Sequence, residues 1–139
     1  MKSIMRISSG ISSLDGIIDY LNIGDNVVWQ VDNINDYMEF VTPFVEQSLK
    51  DGRKLYYMRF AKHAPVIDPG TEGVVICNLN AHSGFETFAR DVHEIIKDAG
   101  EEAFYVFDCL SDLLSAWATD LMIGNFFLVT CPYLFELNT

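Results

Sequence analysis

Two apolar runs with a strongly amphipathic segment between them fix most of what this chain can fold into. Val74 to Leu79 is a run of strand-forming residues, and so is Ala103 to Phe107. Between them Phe85, Phe88, Ala89, Val92, Ile95, Ile96 and Ala99 recur at helical spacing, with Ser83 and Glu86 placed as a capping box and Gly100 as a stop. A strand, a crossover helix and a second strand pair in parallel, with a right-handed crossover. Parallel strands are covered on both faces, which is why such runs are nearly continuous in apolar residues rather than alternating.

Similar patterning extends in both directions. Ser12 to Ile18 predicts a short capped helix ending near Asn22 to Gly24, and residues 26–32 (NVVWQVD) predict a strand. Ile34, Tyr37, Met38, Val41, Phe44, Val45, Ser48 and Leu49 then share one face of a helix. Asn33 is its expected cap with Asp36 three residues on, Gly52 its stop, and Pro43 a kink within it. Lys54 to Phe60 predicts a further strand, and residues 61–72, with Pro65, Pro69 and Gly70, a loop. From Ser111 the pattern is helical until Pro132. The expected class is α/β: three layers, a mainly parallel sheet flanked by helices, in one domain covering residues 1–139. The apolar C-terminal helix is not followed by the strand that α/β order calls for. The chain therefore reads as truncated there, the N-terminal domain of something longer.

Composition narrows the partners. Half the residues are hydrophobic, which excludes intrinsic disorder. Twenty acidic side chains against nine basic ones give a formal charge of −11, a field that disfavours nucleic acid and anionic membranes. The opening MKSIMRISSG is too polar for a signal peptide. Residues 121–137 are the most membrane-like stretch, but they are short for a span, and Asn125, Pro132 and Glu136 interrupt them. Cys77, Cys109 and Cys131 are odd in number and lie in apolar runs, as buried thiols of a reducing, cytoplasmic compartment do.

The segment SGISSLDGII (Ser9 to Ile18), the order of elements, and FYVFDCLSDLL (residues 104–114) together resemble the nucleotide-binding core of the RecA superfamily, its KaiC-like branch in particular. The resemblance places Asp108 at the Walker B position. It also implies a P-loop after the first strand, and there the sequence departs from the family. A P-loop needs glycines to wrap phosphates, a lysine to neutralise them and a Ser/Thr for magnesium, and residues 30–40 contain none of these. Asp32 and Asp36 stand there instead, and one carboxylate beside a phosphate oxygen costs several kcal/mol at an effective dielectric of ~20. FYVFDCLSDLLSAWATDLMIGNFF is also similar to an N-terminal segment of proteins related to phosphoenolpyruvate synthase. These likenesses imply an accessory, non-catalytic domain without a cofactor, acting through protein contacts with itself or with downstream domains.

Candidate sites follow. Arg59, Lys62 and His63 cluster after a strand, on the edge where α/β proteins bind ligands. They are expected either to form an anion pocket for a nucleotide or phosphorylated metabolite, with Asp108 positioning metal or water, or to ion-pair with Asp108, Asp32 or Asp36. Asp108 alternatively caps the helix at Ser111. Cys77, His82, His63 and Cys109 match no compact metal-ligand spacing, so no metal is expected. His93 falls on the polar face of its helix and reads as solvated. Trp117, Phe126, Phe127 and Phe135 supply the expected interface for a protein partner or a second copy.

Overall fold

The structure, a computed structural model, describes residues 6–117 and 120–139. The polar opening read against a signal peptide thus lies partly outside the described residues. β1 (Arg6–Ile7) and β2 (Leu21–Asn22) pair antiparallel around α1 (Ser12–Ile18). There follow α2 (Ile34–Lys50), β3 (Lys54–Arg59), β4 (Val74–Asn78), a 3-10 turn (Ala81–Ser83), α3 (Phe85–Ala99), β5 (Ala103–Asp108), α4 (Ser111–Ala116) and α5 (Asp120–Glu136). The main sheet is parallel, in the order β4-β3-β5. Its register sets Arg59 opposite both Asn78 and Asp108.

Helices cover both faces, which accounts for the apolar continuity of the central strand. Leu55, Tyr57 and Met58 of β3 are all buried. On one face Leu55, Tyr57 and Phe104 pack with Val41 and Val45 of α2. On the other, Met58 and Phe60 pack with Phe88, Val92 and Ile96 of α3, Leu113 of α4, and Trp117, Phe126 and Leu134. A three-layer α/β arrangement results, as the periodicities require.

The SGISSLDG segment has its own architecture. Gly10, at φ +86°, lies so close to α2 that a Cβ would meet the Pro43 carbonyl oxygen at 2.2 Å. Asp15 is buried and turns back to accept hydrogen bonds from the Ser9 amide at 2.8 Å and from the Ser8 and Ser9 hydroxyls. Burial alone would raise this carboxyl, but the serine donors outweigh it and hold Asp15 below its ordinary value.

Several local expectations need correction. Residues 26–32 form no strand: Val27 and Val28 are exposed, and Trp29 stacks on Phe40 of α2 with ring centroids 4.3 Å apart. That local ring contact holds the segment against its own helix instead of against the sheet. Ser83 and Glu86 build no capping box, because Gly84, at φ +105°, is the cap residue of α3. The preceding turn is instead closed by Asn80, whose side chain accepts from the His82 amide at 2.9 Å. Nor does Pro132 end the last helix. It lies inside α5, which runs on to Glu136.

Candidate functional site

The C-terminal ends of β3 and β5 lie side by side, and their last residues converge on Asp108. This carboxylate is fully buried, so it needs partners. Tyr57, two residues before the end of β3 on the same face, donates its hydroxyl to Asp108 Oδ2. His63, from the loop after β3, brings Nε2 to 2.7 Å from Asp108 Oδ1. The Asp108 carbonyl accepts from the amides of Phe60 at 2.8 Å and Ala61 at 3.0 Å, which pins the start of that loop to β5. Burial, followed by the bond to Asp108, pushes the Tyr57 phenol far above its ordinary range. Burial and then the charge of Asp108 do the same to Tyr37, which meets the His63 ring edge-on.

The predicted basic cluster is present but differently employed. Arg59 donates from a terminal guanidinium nitrogen to the His63 carbonyl, and its Nε is buried without a partner among the described residues. The Lys62 side chain is exposed, while its backbone amide donates to Asp112 Oδ2 at 3.0 Å. Of the contacts expected at this edge, the one between His63 and Asp108 is present, Nε2 against Oδ1. Asp108 does not cap α4. The residue before that helix is Leu110, with no side-chain cap, and the carboxylate is held by Tyr57 and His63.

At the start of α2 the expected cap is formed. Asn33 Oδ1 accepts from the Asp36 amide at 3.1 Å, and Asn33 Nδ2 donates to Asp36 Oδ2 at 3.0 Å. Asp36 also lies in the first turn, where a negative charge complements the helix dipole.

A cavity of about 1260 Å³ opens between residues 22–34, the end of β5 and α5. Tyr37, His63, Asp108 and Cys109 stand on its wall. Among the described residues, one set of three metal-capable side chains is close enough to share an ion: His63, Asp108 and Cys109, with donor atoms within 4.8 Å of one another. Cys77 and His82, considered with His63 and Cys109 in the sequence, are not part of it. Burial first, and the nearby carboxylates of Asp112 and Asp108 after it, raise the Cys109 thiol. No separate sequence signal points to this trio, since its members come from a loop and a strand end whose approach only the sheet register dictates.

The expected interface residues divide. Trp117 and Phe126 are buried in the chain's own core, the indole donating to the Ala81 carbonyl at 3.2 Å. Phe127 packs half-buried against the same cluster, and Phe135 is exposed. Sequence periodicity missed the more exposed Leu121, Leu128 and Val129 on the outer side of α5, because this helix is apolar on all sides. Among the described residues, no helix is long and apolar enough to cross a membrane.

No known protein family matches this chain, and no curated protein does.

Proposed function

We propose that this chain is a non-catalytic, degenerate RecA/KaiC-like domain of the cytoplasm, serving as an interaction or oligomerisation scaffold accessory to a phosphoenolpyruvate synthase-like protein. The observation that carries the reading is the start of α2. Asn33 and Asp36 occupy each other's hydrogen-bonding groups there, and a carboxylate sits where an anionic ligand would seek the helix dipole. The apolar outer side of α5 supports the scaffold role. Leu121 and Leu128 are 71% and 73% exposed one heptad apart, with Val129 exposed beside Leu128, an apolar group of the kind a partner surface covers. Three free cysteines accord with a reducing compartment.

A second reading, a nucleotide- or phosphorylated-metabolite-binding module, draws on the cavity beside His63 and Asp108 and on the buried Arg59 Nε. One pair of experiments separates the two. Calorimetric titration with ATP, ADP, phosphoenolpyruvate and pyruvate is expected to give no binding heat, and sedimentation a dimer or larger species. Stoichiometric binding that disappears in Arg59→Ala would favour the second reading. ATP hydrolysis by the purified chain, or a monomer at every concentration, would overturn the first.

A further inference from the structure

The geometry points to a divalent transition-metal site, of the zinc class, formed by His63 Nε2, Asp108 Oδ1 and Cys109 Sγ with a fourth position open to the cavity. One nitrogen, one oxygen and one sulfur donor within 4.8 Å of one another suit a borderline-soft ion that accepts all three. The surrounding bonds are those a metal site needs. His63 Nδ1 lies 2.7 Å from the Ala64 carbonyl, which only accepts, so the proton of a neutral ring sits on Nδ1 and the Nε2 lone pair faces Asp108. On Asp108, the Tyr57 hydroxyl takes Oδ2 and leaves Oδ1 turned toward the histidine. Two acceptors 2.7 Å apart require a shared proton or a cation between them.

An imidazolium would satisfy His63 and Asp108 by itself; the Cys109 thiol, which otherwise faces Asp112 Oδ2 at 3.7 Å, is the third donor that a metal site uses and a histidine–carboxylate pair does not, so its substitution separates the two. A carboxylate and a thiolate together carry two negative charges, which a divalent cation cancels, the thiol proton leaving to solvent on binding. Asp112, whose carboxylate accepts from the Lys62 amide and lies 3.7 Å from Cys109 Sγ, adds a field of the same favourable sign. Tetrahedral ligation at 2.0–2.1 Å separates ligand atoms by about 3.3 Å. The His63–Asp108 pair therefore opens by about half an ångström to admit the ion, a movement available to a histidine carried on a loop. Three protein ligands with one position facing a cavity is the arrangement of zinc sites that bind a further small ligand.

Metal titration of the untagged chain with Zn²⁺ or Co²⁺ alone tests this. The expected result is one ion per chain, with a thiolate-to-cobalt charge-transfer absorption that Cys109→Ser abolishes and that Cys77→Ser and Cys131→Ser leave intact. His63→Gln, at a partly exposed position, is expected to weaken zinc binding more than about tenfold and provides the same test should Cys109→Ser fail to fold by circular dichroism. No stoichiometric binding, or a charge-transfer band that persists in Cys109→Ser, overturns the assignment and leaves an imidazolium–carboxylate pair.

Discussion

His93 shows how far a single side chain departs from its sequence reading. Expected on a solvated face, it is half-buried between α3 and α5, with Nε2 2.9 Å from Thr130 Oγ1 and its ring tilted against Phe126 and Tyr133. Burial lowers its pKa below the ordinary 6.5, so the folded chain resists a proton that the unfolded chain accepts. Stability is then undiminished above pH 6.5 and falls as the pH drops from 6.5 through the lowered value. Urea titrations across that window are expected to show this slope in the parent chain and a shallower one in His93→Gln. Equal slopes would mean that the imidazole titrates as if exposed. Asp15 acts at a lower pH. Its carboxyl is held down by Ser8 and Ser9, so its contribution persists above 3.8 and is lost only in stronger acid. Neither environment is readable from local sequence, because Thr130 lies 37 positions from His93 and the Ser8–Asp15 contact requires the chain to double back.

At the scale of elements, patterning located α2, α3, β3, β4 and β5 because each contributes to a two-sided core that enforces its period. It failed where a competing contact was cheaper. Residues 26–32 have strand-like composition, yet the Trp29–Phe40 stack supplies a partner only eleven positions away, without the cost of closing a longer loop. It also could not assign faces on α5, where apolar residues surround the axis and no moment marks the inner side. Paired substitutions separate those faces. Phe126→Ala empties a site packed against Phe88, Trp117 and Phe107, and should cost about 3–5 kcal/mol in denaturant unfolding. Leu128→Asp, on the outer side, should change stability by no more than about 0.5 kcal/mol while shifting sedimentation toward the monomer. A large destabilisation from Leu128→Asp with no change in assembly would remove the scaffold surface from α5.

For the molecule as a whole, the class of fold was legible and the chemistry at its strand ends was not. The α/β order follows from alternating periods, which each segment carries within itself. The trio of His63, Asp108 and Cys109 follows from register, a property of two strands jointly, and from a loop tied by the Asp108 carbonyl. The sheet's small size has a further consequence. Among the described residues, in the order β4-β3-β5 only β3 is bonded along both sides, while part of the backbone of β4 and of β5 faces outward. Native-state hydrogen exchange should therefore find its slowest amides at Leu55 to Met58, with outward amides of β5 released earlier; equal protection across both strands would reveal a further strand seated on the β5 edge. β3 is the keel of this chain. An agent acting where it ends, at Arg59, Tyr57 or the carboxylate they border, should register as a shift in global melting, not as a local loosening.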